Sequence, residues 1–200
     1  MKSTARTNIF ILKYYLLLFI LFTVSCKSQT VSLETAAQCM QENPPFPCPN
    51  FTYVKDINNS LNKYVGTWEG SLNGKNYEFK FIKKENVGED IKDDRLIGRL
   101  RITDSNGNII YNSFTEADDD KTHFFGTNFQ PDLKAYIVYF HGPSIGCAEY
   151  GDVYLRIQPT TPDQMTAIMI PDNDTTIEGK CPINFQPTIP YEQLIHLIKQ

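Results

Sequence analysis

The chain has 200 residues and a net charge of −4, with 23 acidic against 19 basic residues. This length suits a single domain, with or without a leader segment. Nucleic-acid binding depends on basic side chains that neutralise phosphates, so the acidic balance argues against a nucleic-acid partner. The 13 Phe, 11 Tyr and single Trp favour β-strands, because flat side chains pack well on a pleated surface.

The first 25 residues have the pattern of an export signal. Three basic residues precede an apolar run over residues 14–24. A run of about 11 residues suits a signal peptide and is too short for an ordinary membrane-spanning helix. Ser25 and Cys26, which follow, resemble the lipobox of bacterial lipoproteins, where the chain is cut before the cysteine and its thiol is acylated. We therefore predict a signal peptide over residues 1–25 and a lipid on Cys26 that anchors the chain to a membrane.

This anchoring has alternatives, because Thr23 stands where a lipobox usually has Leu or Val. They are an ordinary secreted chain cut nearby and an uncleaved anchor helix over residues 9–24. Removal of the leader takes away three basic residues and no acidic one, so charge alone would not hold the chain to an anionic bilayer. The predicted location is the cell envelope, at the periplasmic side of the outer membrane, with surface display as the alternative.

The remaining cysteines predict two disulfides. Acylation of Cys26 leaves an even number of cysteines in an exported chain, which favours pairing, although four cysteines allow three connectivities. Cys39 and Cys48 bracket a short proline-rich stretch, and Cys147 and Cys181 flank the last predicted hairpin. We expect each of these two neighbouring pairs to form a bond, with free thiols as the alternative.

Residues 26–54 read as a polar tether that ends in a proline-rich stalk. A helical turn is expected over residues 33–40, and it is followed by four prolines that exclude regular structure because each lacks an N–H group. These are Pro44, Pro45, Pro47 and Pro49.

A short helix is predicted after Asp56, whose carboxylate suits an N-cap. Ile57, Leu61 and Tyr64 would then share one face of the helix. We expect this segment to border or plug one end of the domain that follows.

From residue 64 onward the chain alternates between strand and turn patterns. Tyr77, Phe79 and Phe81 alternate with polar residues, as in a half-buried strand, and Asn73-Gly74 favours a tight hairpin. Residues 191–200 fit a closing strand, with a helix behind Pro190 as the alternative. The predicted strands cover residues 64–72, 77–81, 95–102, 108–114, 122–128, 133–141, 152–158 and 164–170.

Eight short strands joined mostly by hairpins predict an all-β fold, a small antiparallel up-and-down barrel over residues 55–200. Closure also removes exposed sheet edges, which are aggregation risks. If Gln158 faces Gln164 in the last hairpin, Asp152 faces Ile170 and the flanking cysteines lie beyond the same end.

Gly66-Thr67-Trp68 is similar to the Gly-x-Trp start of the lipocalin superfamily. The resemblance implies that Trp68 closes the narrow end of the barrel beneath a basic residue of the last strand, for which Lys199 is the candidate. An ordinary core tryptophan is the alternative.

Longer motifs resemble a domain-of-unknown-function family of lipoproteins from flavobacteria (Bacteroidota). They are the Ser-Cys-Lys-x-Gln stretch at residues 25–29, the run over residues 55–68, the strand motif at residues 94–98 and the final Lys199-Gln200. The resemblance covers most of the chain and implies lipidation and a β-rich domain. It implies no activity, because the family has none assigned.

Two functions compete for such a barrel, because eight strands enclose just enough room for packed side chains or one small apolar molecule. The first is binding of a small hydrophobic ligand. The alternative is an envelope scaffold or protein-interaction module with a solid interior and an outer patch of Tyr136, Phe140 and Tyr154. No cofactor is predicted. The candidate ligand-binding residues, all expected to point inward, are Trp68, Tyr77, Phe79, Phe81, Leu100 and Met169.

Gly142 to Gly146 matches the Gly-x-Ser-x-Gly nucleophile elbow, and Ser144, Asp172 and His196 follow in the order of hydrolase triads. The elbow requires a strand-to-helix turn, and no helix is expected after Ser144. A serine hydrolase is therefore a remote alternative, and we predict that the chain is not an enzyme.

The composition of two acidic stretches suggests metal binding, but the spacing of their residues argues against it. The first lacks the alternating ligands and glycine of an EF-hand loop, and Asp172-Asn173-Asp174 suits a turn. Three scattered histidines without a Cys-x-x-Cys pair give no zinc pattern. Solvated turns are the better interpretation of both stretches. The first comprises Glu116, Asp118, Asp119, Asp120 and His123.

Overall fold

The computed structural model describes residues 29–144, 146–172 and 176–200. The predicted signal peptide, Cys26 and Asn173-Asp174 lie outside the described residues. Within them, α1 covers Leu33–Cys39 and a 3₁₀ turn covers Asp119–Thr122. The strands are β1 (Thr30–Ser32), β2 (Tyr53–Lys55), β3 (Gly66–Leu72), β4 (Lys75–Val87), β5 (Lys92–Asp104), β6 (Ile109–Asn112), β7 (Phe124–Phe129), β8 (Tyr136–His141), β9 (Tyr150–Ile157), β10 (Gln164–Pro171) and β11 (Ile195–Lys199).

Eight of these strands form a closed antiparallel barrel, in the order β5-β4-β3-β11-β10-β9-β8-β7. The pair Ile97–Phe125 joins β5 to β7 and closes the ring. The predicted all-β up-and-down barrel is confirmed. Since each barrel strand has a neighbour on both sides, the ring presents no open edge.

The membership of the ring differs from the prediction in one strand. The predicted fourth strand is β6, which pairs with β5 outside the ring. Ile109 and Ile110 of β6 are 63% and 50% exposed, and this short strand contacts the core only through the partly buried ring of Tyr111 among its described side chains. The eighth position is taken by β11, which lies between β3 and β10. The closing strand over residues 191–200 is thus confirmed, and its helical alternative is wrong.

The segment before the barrel packs onto it from residue 30. β1 pairs in parallel with β2, and β2 pairs with the start of β5. The Ser32 hydroxyl caps α1 by accepting a hydrogen bond from the Thr35 N–H at 3.1 Å. Leu33 and Ala37 of α1 join the core of the barrel. The expected helical turn is confirmed. The first part of the segment that was predicted to be a tether, however, packs against the barrel.

The helix predicted after Asp56 is wrong, because residues 57–64 form successive turns. Asn59 has a φ of 56°, a left-handed conformation that a right-handed helix does not tolerate. The Asp56 carboxylate still caps the turns, since it accepts the N–H of Ser60 at 2.7 Å and that of Leu61 at 3.3 Å. Leu61 and Tyr64 are buried as predicted, whereas Ile57 is 54% exposed.

Both predicted disulfides are confirmed, Cys39–Cys48 and Cys147–Cys181. The first closes the exposed proline-rich loop onto α1. The second follows from the register of the β9–β10 hairpin, in which Asp152 faces Ile170 as expected. The bond therefore ties together the two loops that leave the same end of this hairpin.

Candidate functional site

The inside of the barrel is filled by packed rings around the six ligand-binding candidates. Five of the six are fully buried and Tyr77 is 2% exposed. The Phe124 ring lies 6.1 Å from that of Phe79 and 5.5 Å from that of Phe81, and the latter two stack at 6.2 Å. These centroid distances are those of aromatic pairs in contact. The buried set comprises Trp68, Tyr77, Phe79, Phe81, Leu100 and Met169.

Trp68 sits at the end of the barrel where the preceding turns arrive. Its indole N–H donates to the carbonyl of Tyr64 at 2.8 Å. The ammonium of Lys199, its neighbour across β3 and β11, lies 5.2 Å from the indole centroid, within cation–π range. This is the contact that the Gly-x-Trp resemblance implies for a basic residue of the last strand.

Two buried hydroxyls were missed by the sequence reasoning. The rings of Tyr64 and Tyr136 lie 5.8 Å apart, and burial raises the pKa of both phenols. The Tyr64 hydroxyl faces the main chain of Tyr136, and that of Tyr136 faces the main chain of Leu96. Neither meets hydrogen-bond geometry with a described residue. Unpaired buried polar groups are uncommon, and they mark places where water or a ligand atom is held.

The predicted outer patch is wrong for two of its three members. Tyr136 and Phe140 are fully buried and point into the barrel, whereas Tyr154 is partly exposed. Ala135, Ile137 and Val138 are buried as well. A strand that is apolar on both faces carries no polar alternation to show which residues point inward.

Another set of rings covers the outside of the barrel. Neighbouring ring centroids lie 5.7, 6.5, 5.9 and 5.6 Å apart along this set. The guanidinium of Arg95 stands 5.9 Å from the ring at its first end. All five side chains are partly or fully exposed. We call this set the outer aromatic row; in order, it comprises Phe125, Tyr139, Tyr150, His141 and His123.

A carboxylate interrupts the outer wall beside this row. Asp152 lies on the outer side of β9 between Tyr150 and Tyr154, and it faces Tyr139 on β8 and Ile170 on β10. Burial raises the pKa of Asp152, and the charge of Asp172 adds to the effect. Within the described part of the chain, the Asp152 carboxylate has no hydrogen-bond or salt-bridge partner.

An apolar groove of about 290 Å³ adjoins Asp152 on the outside of β9 and β10. Ile170 and Leu194 in this groove are 39% and 50% exposed. Its apolar lining is formed by Ala135, Tyr154, Ile168, Ile170 and Leu194, and its polar lining by Gln130, Arg156 and Thr166.

A wider groove of about 710 Å³ lies on the opposite wall, outside β3, β4 and β5. Two of its three charged side chains, Glu78 and Arg101, pair with each other, and the third is Glu69. Ser71 likewise donates to the Asn76 side chain at 2.8 Å. Four of the polar side chains in this groove therefore already bond to one another.

Ser144 lies in the loop between β8 and β9. Its N–H donates to the carboxylate of Glu149 at 3.0 Å, and the residues after 145 form a turn that leads into β9. His196 lies on β11 opposite Thr166. Thr166 is five residues from the end of β10 that reaches the Ser144 loop, or about 17 Å along the strand. The three residues of the hydrolase pattern are therefore not brought together.

The acidic loop before β7 is held by salt bridges. Asp119 pairs with Lys84 at 2.7 Å and with Arg99 at 2.8 Å, and hydrogen bonds from these two side chains lower its pKa. Asp118 caps the 3₁₀ turn through the N–H of Asp120 at 3.1 Å. Over the described ranges, no group of three His, Cys, Asp or Glu side chains is arranged to hold a metal ion.

The described residues contain no helix that is both long and apolar enough to span a membrane.

Comparison with known proteins gives one match. The family described as "Family of unknown function (DUF6705)" matches residues 11–173. A search of curated proteins and a search of solved structures find no match. Because the family match spans most of the chain, this protein belongs to the DUF6705 family of unknown function.

Proposed function

We propose that this protein is a non-catalytic lipoprotein of the bacterial cell envelope, anchored through Cys26, whose barrel acts through its outer wall. The observation that carries this proposal is the contrast between the filled interior and the outer aromatic row. The six candidate ligand-binding side chains are at most 2% exposed, whereas the five rings of the row are accessible. Aromatic side chains at a surface are typical of protein interfaces.

The proposed anchor would hold the barrel close to the bilayer. Cys26 precedes Thr30 by four residues, and β1 is already paired with β2 at Thr30. An extended chain spans at most about 3.6 Å per residue, so the lipid would lie within roughly 15 Å of the docked strand. The proline-rich loop follows α1 and therefore adds nothing to this reach. The periplasmic side of the outer membrane is the proposed location.

Mass spectrometry of the full-length protein from a host that processes lipoproteins tests the anchor. We expect a mature chain that begins at Cys26 and carries acyl groups. The variant Cys26→Ala should lose the acyl mass and leave the membrane fraction. An unmodified N-terminus downstream of Cys26 in the wild-type protein would contradict the anchor.

Site-specific photocrosslinking in cells tests the outer wall. A crosslinking amino acid at Tyr139, in the centre of the row, should give a discrete adduct with an envelope protein. The matched control position is Lys80, which is exposed on β4 at the opposite wall. No adduct at Tyr139, or the same adducts at both positions, would contradict the proposal.

A second candidate function is binding of a small molecule inside a lipocalin-like barrel. The hydroxyls of Tyr64 and Tyr136 favour it, because neither has a hydrogen-bond partner among the described residues and a polar ligand atom beside either would supply one. The contact of Lys199 with Trp68 also agrees with the resemblance to the lipocalin superfamily. Native mass spectrometry of the protein purified without denaturation, and thermal shifts with fatty acids, haem and sterols, separate the two functions. A stoichiometric bound mass supports this candidate, and an empty mass without shifts dismisses it.

A further inference from the structure

We infer that Asp152 and the tyrosines around it form a binding site for a lysine or arginine side chain of a partner protein. The tyrosines are Tyr139, Tyr150 and Tyr154, and we call the four residues the Tyr-Asp site. This inference rests on the proposed function, because it requires that the outer wall is the surface that meets a partner.

Strand register places the three rings around the carboxylate. Asp152 and Tyr139 are direct cross-strand neighbours, whose Cβ atoms stand about 4.5–5.5 Å apart. Tyr150 and Tyr154 are two residues before and after Asp152 on the same side of β9, at about 7 Å each. The rings of Tyr139 and Tyr150 lie 6.5 Å apart with their planes inclined by 36°. The rings therefore border the carboxylate on three sides, and Ile170 borders the fourth.

The charge of Asp152 favours a cationic ligand at this site. Asp152 is half-buried with a raised pKa and has no partner among the described residues. Arg156 stands four residues along the strand, at about 13 Å, which is too far for an ion pair. Arg95, at the far end of the row, is already paired with Asp93. Aromatic faces attract cations through their quadrupole, so the rings and the carboxylate favour the same ligand charge.

The shape of the surroundings favours a protein segment as the carrier of that cation. The Tyr-Asp site lies on the outer wall of the barrel, where a protein surface can reach it. The neighbouring groove of about 290 Å³ offers Ile168, Ile170 and Leu194 to an apolar side chain of the same segment. An apolar centre next to tyrosines and a charged pair is the usual anatomy of an interface hot spot.

Fluorescence polarisation of the full-length protein in detergent micelles tests the inference, with labelled hexapeptides as probes. A peptide of alternating leucine and lysine should bind, and one of leucine and glutamine should bind at least about tenfold more weakly, the factor that corresponds to 1.4 kcal/mol. Asp152→Asn should weaken the leucine-lysine peptide by a similar factor. Asp90→Asn removes the same charge from an exposed loop and should leave binding unchanged.

Three results would overturn the Tyr-Asp site: no binding of the leucine-lysine peptide, equal binding of the glutamine peptide, or equal losses in Asp152→Asn and Asp90→Asn. Binding of a neutral glucose hexasaccharide that is insensitive to Asp152→Asn would instead identify the row as a glycan platform. Asp152→Asn removes an uncompensated charge, so its melting temperature should not fall below that of the wild type.

The crosslinking experiment separates this inference from the proposed function. An adduct at Tyr139 that persists in Asp152→Asn refutes the cation site and leaves the proposed function standing. An adduct that disappears in Asp152→Asn and persists in Asp90→Asn supports both. The absence of any adduct at Tyr139 refutes the proposed function itself.

Discussion

The sheet formed by β8 and β9 has aromatic side chains on both faces, and the two faces have different surroundings: β8 supplies the inner rings, and both strands supply outer ones. On the inside, Tyr136 and Phe140 are fully buried, and the Phe140 ring contacts that of Phe124 at 5.3 Å. On the outside, Tyr139 and Tyr150 have rings as neighbours along the row, and part of each side chain is exposed. The same residue type thus fills a core on one side of the sheet and forms a surface on the other. Aromatic content alone therefore does not reveal which face of a strand is structural.

Truncation of an inner ring should have the largest effect. Phe79 is fully buried between other rings, so Phe79→Ala should lower the free energy of unfolding by about 3–5 kcal/mol. Tyr139→Ala, on the outer side, should cost less than about 1 kcal/mol. Urea denaturation of both variants measures the difference. Equal losses would mean that the outer aromatic row contributes as much to the fold as the inner rings do.

A buried carboxylate with partners should behave unlike Asp152. Asp94 is 1% exposed and accepts hydrogen bonds from the Tyr53 hydroxyl at 2.6 Å, the Asp56 N–H at 2.9 Å and the Asn86 N–H at 3.0 Å. Asp94→Asn places an amide N–H₂ against a donor, which should cost about 2 kcal/mol in urea denaturation.

The matched control for Asp94 is Asp90→Asn, which changes an exposed loop residue and should be neutral. If Asp94→Asn were also neutral, these bonds would not hold the segment around β2 against the barrel.

The outer salt bridge of Asp119 should give a small, pH-dependent contribution. Its pKa is lowered in the folded state by Lys84 and Arg99, so the contribution is fully present above the unfolded pKa of about 3.9. It is lost as pH falls through the lower folded pKa. Asp119→Asn should therefore reduce stability by about 1 kcal/mol at pH 7 and by nothing at strongly acid pH. A difference from wild type that stays constant from pH 7 to pH 2 would contradict this origin.

Removal of an unpaired hydroxyl should have the smallest effect, and its sign is informative. Because the Tyr136 hydroxyl lacks a partner among the described residues, Tyr136→Phe should leave stability unchanged or raise it by up to about 1 kcal/mol. Thermal denaturation of the two proteins measures the change. A clear loss of stability would mean that the hydroxyl holds a water molecule or a ligand, which would favour the interior as a binding site.

Sequence patterns predicted the fold well wherever one face of a strand is polar. In β4, Tyr77, Phe79 and Phe81 alternate with Glu78 and Lys80, and the structure buries the aromatic set. The hairpin of β9 and β10 was predicted in its correct register, because its turn leaves few alternatives. Both disulfides followed from that register and from the short spacing of Cys39 and Cys48.

The patterns failed where local context decides the conformation. In β8 both faces are apolar, so alternation gave no direction and the predicted outer patch was wrong. At Asn59 a single left-handed residue converts a predicted helix into turns, and nothing in the apolar spacing signals it. The outer aromatic row also escaped prediction, because its members come from separate strands and a loop and meet only after closure.

The position of β11 between β3 and β10 has a consequence for the association of one copy of this chain with another. Lys199 of β11 pairs with Trp68 of β3, which lies 131 residues earlier in the chain. The barrel therefore cannot close until these two distant segments meet. Until β11 is in place, the edges of β3 and β10 are open. The β11 strand of another copy can then pair with both edges. Exchange of this one strand between molecules is therefore the expected route to misassembly at high concentration.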